Sequence, residues 1–319
     1  MTELYPPIEP HDTGLLEVGQ GNQVYWEVSG NPNGRPALVV HGGPGSGASP
    51  GWRRYFDPAV YRIVLFDQRG CGRSLPDAGD PAVSLQANTT QYLIADMELL
   101  RAELGIDRWL LLGGSWGATL ILAYAERYPE RVAAIVLMAV TNSRPREIEW
   151  LTRDVGRLFP EAWQRFRDGV PPEDRDGNLS DAYARLLGSP DPAVRDQAAR
   201  DWCDWEDWHG RVHADSKHDS RYDDPVFRMR FARLVTHYFR HAGFLEDGII
   251  LREATNLAGI PGVLLHGRLD LGSPLDTAWA LAKAWPDAEL IVGEQEGHGF
   301  RDRSAALDAV ARLATDGRW

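Results

Sequence analysis

The run Leu110–Leu120, LLLGGSWGATL, places one serine, Ser115, between two glycines and a tryptophan. Residues 113–117 fit the pattern G-x-S-x-G, after an apolar run and ahead of an Ala/Leu-rich one. That is the setting of a nucleophile on a sharp strand-to-helix turn. Small residues at Gly113 and Gly117 permit the turn, the turn lifts the hydroxyl above the sheet edge, and the helix N-terminus faces any developing anion. The plainer reading is a serine in a glycine-rich crossover.

A serine hydroxyl attacks only when a base takes its proton, a carboxylate orients the base, and N–H groups hold the oxyanion. On a strand–turn–helix nucleophile, the partners follow in the chain order Ser, Asp/Glu, His. LLHGRLDLGSP puts Asp270 just past an apolar strand, and VGEQEGHGF puts His298, flanked by Gly297 and Gly299, just past the next. Asp276 competes with Asp270 but reads as a first-turn helix residue complementing the dipole. Of nine histidines, only His298 has this position; His209, His213 and His218 fall in a polar stretch that predicts solvated side chains. One oxyanion donor is the N–H of Trp116, the residue after the serine. The other is expected in the glycine-rich loop His41-Gly42-Gly43-Pro44-Gly45 after ALVVH, at Gly43.

The elements that must position these residues are legible as apolar bursts. Segments 23–28, 37–41, 62–66, 108–112 and 132–138 read as strands, the later ones nearly continuous in apolar residues, as strands buried on both faces of a parallel sheet are. Between them, 88–105 has helical spacing with Asn88 as N-cap and Gly105 as stop, and a second helix from Trp116 ends before Pro129. From about Thr141 to Leu257 the chain is polar, rich in Trp, Arg and Asp, and helical in period. Strands at 260–267 and 289–293 then return, with helices after each. The pattern predicts an α/β fold with a mostly parallel sheet flanked by helices, divided as core 1–140, inserted helical cap 141–257 and core 258–319.

Composition narrows the function. The chain has 319 residues, 43% hydrophobic, and a formal charge of -12, which argues against nucleic acid and anionic membrane surfaces as partners. Its first residues lack the basic and apolar regions of a signal peptide, and no apolar stretch is long enough to span a bilayer. The two cysteines, Cys71 and Cys203, make neither a disulfide framework nor a metal spacing, which points to a cytoplasmic protein. The triad chemistry calls for no cofactor and no metal; a homo-oligomer is compatible with the sequence.

With these residues assembled, the chain resembles the proline iminopeptidases, serine aminopeptidases of the α/β-hydrolase fold. The resemblance rests on HGGPG (41–45), FDQRGCGRS (66–74), GGSWGATLILAYAERYPERV (113–132), WCDWE (202–206), FARLVTHYF (231–239), IPGVLLHGRLD (260–270) and EGHG (296–299), in the expected order. It implies a helical cap over the active site, a peptide or amino-acid amide as substrate, and a cap glutamate, Glu206, that binds the substrate's free α-amino group. The chain departs from the family at two places. MAVTNS (138–143) lacks the Arg-Gly-x-aromatic run that usually follows the strand before the cap, and Val235 stands where a second acidic residue is usual. An esterase or small-amide amidase on the same scaffold therefore stays open, as does a non-catalytic binding protein, against which the complete Ser115, Asp270, His298 and HGGPG set speaks.

Overall fold

The computed structural model describes residues 3–211, 216–315 and 319. The predicted elements appear in order. The first half runs β1 (Asp12–Gly19), β2 (Asn22–Gly30), β3 (Arg35–Val40), β4 (Tyr61–Phe66), α1 (Thr90–Glu103), β5 (Trp109–Ser115), α2 (Trp116–Arg127) and β6 (Val132–Val140). The helical stretch supplies α3 (Pro145–Thr152), α4 (Pro160–Asp168), α5 (Leu179–Leu187), α6 (Pro192–His209), α7 (Pro225–Phe239) and the short α8 (Ile249–Glu253). The chain then returns to β7 (Gly262–Gly267), α9 (Leu275–Ala284), β8 (Ala288–Gly293) and α10 (Arg303–Thr315).

The strands form one sheet in the order β1-β2-β4-β3-β5-β6-β7-β8. β1 and β2 join antiparallel and β2 meets β4 antiparallel, while every later pairing is parallel. The period-two alternation of strand side chains divides the core into two layers. Leu38, Val40, Val64, Leu111 and Leu137 face the layer built with α1, α2 and α9, whereas Val39, Leu65, Leu112 and Val136 face the layer completed by Ala306, Val310 and Leu313 of α10. Burial on both faces is what the near-continuous apolar strands required.

One local expectation needs correction, and one strand goes beyond the sequence pattern. β1 carries a weak apolar signal in the sequence, because its DTGLLEVG pairs only with β2 and leaves most of its side chains exposed. The N-cap of α1 is Thr89, whose hydroxyl accepts the N–H of Tyr92; Asn88 instead donates to the Arg69 carbonyl from its side chain.

The helices between β6 and β7 hold an apolar cluster of their own, including Val155, Phe166, Tyr183, Trp202, Trp205 and Val235. Phe166 lies parallel to Tyr183 with ring centroids 4.8 Å apart and to Trp205 at 5.4 Å. No helix among the described residues is long and apolar enough to cross a membrane.

Candidate active site

The sheet reverses its direction of growth between β3 and β5, and ligands of open α/β sheets bind beyond the strand ends at such a point. The loop after β3 carries HGGPG, and β5 ends on Ser115. Ser115 has φ +55° and ψ -129°, a backbone conformation that side-chain-bearing residues avoid and that persists only where its surroundings enforce it. The enforcement is steric. A Cβ on Gly113 would lie 2.6 Å from the Val40 carbonyl oxygen and 2.7 Å from Ile121, and one on Gly117 would collide with the same carbonyl. β3 and α2 therefore close on the turn from both sides.

Side chains lock the flanking loops together. The Trp116 indole N–H donates to Gln68 Oε1 at 2.9 Å, and Gln68 Nε2 donates to the His41 carbonyl at 2.8 Å. The backbone N–H of Gln68 donates to His41 Nε2 at 3.0 Å, and His41 Nδ1 donates to the Gly42 carbonyl. His41 is thus spoken for at both nitrogens, and burial lowers its pKa. Asp67 ties the same region, accepting from the N–H of Ala48 at 2.7 Å and from Arg73 Nε at 2.8 Å. Gly43, with φ +115°, and Trp116, first residue of α2, border the same cavity as Ser115. An N–H in the first turn of a helix has no partner within it.

β7 and β8 deliver the other two residues. His298 Nδ1 donates to the Asp270 carboxylate, 2.9 Å from Oδ2 and 3.0 Å from Oδ1. Asp270 is 3% exposed, and its Oδ1 also accepts the Ser273 N–H at 2.8 Å. Burial alone would raise its pKa, but the His298 charge and hydrogen bond, with His266 and the Ser273 N–H, bring it below the ordinary carboxylate value. For His298, burial opposes protonation, but the Asp270 charge and hydrogen bond and the Glu206 charge outweigh it and raise its pKa. Asp276 sits in the first turn of α9, largely exposed and 3.2 Å from Arg146, away from this arrangement. His266 is buried with both nitrogens used: Nδ1 accepts the Val140 N–H at 3.0 Å and Nε2 donates to the Ser273 carbonyl at 2.7 Å.

Ser115, His298, Gly43, Trp116 and Glu206 all line one cavity of about 740 Å³. Met138, Ile148, Leu151, Phe231 and Phe239 give it an apolar wall. Glu206, in the last turns of α6, accepts the Trp202 indole N–H at 3.1 Å through Oε1. Its neighbour Asp207 is engaged by Arg211, by His218 at 2.8 Å and by the Asp219 N–H at 2.9 Å, while Asp204 is exposed. Trp205 and Trp150 direct their indole N–H groups to the Leu151 and Leu271 carbonyls, and Tyr238 packs on Trp116 at 4.7 Å. Among the described residues no cluster of His, Cys, Asp and Glu has the makings of a metal site.

One reading changes. His209 is buried and borders the cavity, because α6 extends to it and packs its last turn against Gly272. Its distance of three residues from Glu206 places both on one helix face, which is the signal the sequence offered. His218 is exposed, as its polar stretch predicts, and bridges Asp207 and Asp223; His213 lies outside the described residues. Val235 belongs to the core among the helices, so its side chain belongs to packing there.

This sheet, with its strained serine turn between β5 and α2 and a histidine–carboxylate pair after β7 and β8, defines an α/β hydrolase, and the family model described as the alpha/beta hydrolase fold matches residues 36–300. A probable proline iminopeptidase of Streptomyces coelicolor is 53% identical, the match covering 98% of this chain and 97% of that protein. A proline iminopeptidase of Xylella fastidiosa (strain Temecula1) is 45% identical over 99% of each. The chain belongs to the proline iminopeptidase family. The crystal structure of a proline iminopeptidase from Mycobacterium smegmatis shares the fold, with TM-score 0.59 at 19% identity over 95% of this chain and 99% of that one.

Proposed function

We propose that this enzyme removes an N-terminal residue, with proline preferred, from small peptides or amino-acid amides through an acyl-enzyme on Ser115. His298, held by Asp270, takes the hydroxyl proton as Ser115 attacks the carbonyl of the first residue. The N–H groups of Gly43 and Trp116 receive the developing oxyanion, and His298 returns the proton to the departing amine. Water then attacks the ester by the same route in reverse. The names of the 53% and 45% identical relatives support the prolyl aminopeptidase part of this reading.

The observation that carries the proposal is a carboxylate, Glu206, on the wall of the cavity that holds Ser115 and His298. A charged amino terminus entering a partly apolar cavity needs a counter-charge there, and an enzyme that requires a free terminus needs it near the nucleophile. The test is hydrolysis of L-prolyl p-nitroanilide, its N-acetyl derivative and p-nitrophenyl acetate, with Ser115→Ala as control. Turnover of the free prolyl substrate but not the acetylated one, abolished in Ser115→Ala, is expected. Turnover of only the acetate ester or the blocked anilide overturns the aminopeptidase reading in favour of an esterase or amidase.

A further inference from the structure

We propose that His209 is a specificity-determining residue, its imidazole forming with Glu206 a two-acceptor receptor for the substrate's free amino terminus. The proposal rests on the reading above, in which Glu206 receives that terminus. The His209 side chain is 8% exposed, and its Nε2 lies 3.3 Å from Glu206 Oε2. That contact lacks hydrogen-bond alignment, and Nε2 has no other partner. The ring stands edge-on to Trp205 at 5.6 Å, which fixes its plane. Its other nitrogen, Nδ1, is 3.5 Å from the point where a Cβ on Gly272 would stand; Asp270 Oδ1 and His298 Nδ1 are each 3.6 Å from the same point. His209 thus sits between the carboxylate of α6 and the histidine–aspartate pair, on the cavity wall.

A buried ring nitrogen without a partner is costly, and a ligand that donates to it removes the cost. A neutral imidazole has one donor and one acceptor. With the proton on Nδ1, the Nε2 lone pair and Glu206 Oε2 are two acceptors side by side, 3.3 Å apart. Glu206 Oε1 is occupied by Trp202, so Oε2 and His209 Nε2 are the acceptors left to a ligand. The N-terminal nitrogen of a prolyl peptide is a secondary ammonium with two N–H donors, which this pair matches in number. N-acylation removes both donors and the charge. Asp207, the adjacent carboxylate, is taken by Arg211, His218 and the Asp219 N–H and supplies no third acceptor.

The experiment measures kcat and KM for L-prolyl p-nitroanilide and for p-nitrophenyl acetate, which has no amine, in the full chain carrying Glu206→Gln, His209→Ala or His209→Gln. His209→Ala should raise KM for the prolyl substrate about tenfold, the equivalent of one hydrogen bond to a charged group, with kcat changed less than about threefold. Ester turnover should hold, which also certifies the fold, and His209→Gln, which keeps a donor and an acceptor, should recover part of the affinity. An unchanged KM in His209→Ala, or equal losses on both substrates, overturns the assignment. If His209→Ala does not fold, His209→Leu carries the same test. A Glu206→Gln variant with unchanged KM for the prolyl substrate sinks the amine-site reading itself. If Glu206→Gln raises KM and His209→Ala does not, only the role of His209 falls.

Discussion

Glu126 offers the sharpest physical test of this structure, because its carboxyl is held where its charge is unwelcome. It lies near the end of α2, half-buried, with Oε1 lacking any hydrogen-bond partner. Burial and the neighbouring Glu253 charge push its pKa to about 9, from an ordinary 4.5. Folded and unfolded chains both hold the proton below the ordinary value, so nothing is lost there. Between about pH 4.5 and 9 the unfolded chain ionises while the folded one keeps its proton, and stability falls as pH rises. At about 1.4 kcal/mol per pH unit the full loss would be about 6 kcal/mol, and screening by the water that still reaches the side chain reduces it toward about 2. Glu126→Gln keeps the shape and removes the ionisation. Urea unfolding of both proteins at pH 5, 7 and 9 should show the variant's advantage growing with pH, to between about 2 and 6 kcal/mol at pH 9. A difference that does not change with pH, or a variant less stable at pH 9, refutes the reasoning.

Other consequences can be checked alongside. Asp270→Asn should lower kcat about 10³–10⁴-fold, since the asparagine no longer enforces the imidazole tautomer that accepts the serine proton. Because His298 must be neutral to act, and Asp270 and Glu206 raise its pKa, the acid limb of ester hydrolysis should lie above that of an ordinary histidine. Glu206→Gln should move that limb to lower pH, read from a pH profile with p-nitrophenyl acetate. Gly117→Ala, whose methyl would strike the Val40 carbonyl, should cost about 2–4 kcal/mol or the folded protein altogether, measured by thermal unfolding. Arg69→Met should destabilise by about 3–5 kcal/mol, because Arg69 donates twice to the fully buried Asp96, at 2.6 and 2.7 Å, and its loss strands that carboxylate.

Much of this arrangement is legible in the sequence. Strands buried on both faces announce themselves, and residues that end such strands, Ser115 after LLLGG and Asp270 after VLLHG, inherit a place at one sheet edge. Asp276 lost to Asp270 for the reason its sequence position implied, a first helical turn. What stayed hidden depends on neighbours distant in sequence. His209 reads as one polar residue among many until α6 is seen to end against Gly272, and that Val235 packs in the helices' core shows only once α7 is placed. Gln68, which joins Trp116 to His41, carries no motif of its own apart from the loop that contains it. β1 escaped because an edge strand with one partner needs little apolar alternation.

The aromatic cluster among the helices over the sheet, with Phe166, Tyr183, Trp202 and Trp205 at its centre, has a consequence for how such an enzyme can change. Those helices fold around their own interior, whereas the Ser115 turn is braced by the sheet and by α2. Recognition and chemistry are therefore supported by different cores. A lineage can alter Glu206, His209 or the apolar wall and leave the Ser115 turn intact, while changes at Gly113, Gly117 or Gln68 are penalised whatever the substrate. Diversity in this scaffold should accumulate over the cavity and be scarce beneath it, which makes the helices the place to begin when redirecting the enzyme to a new amino terminus.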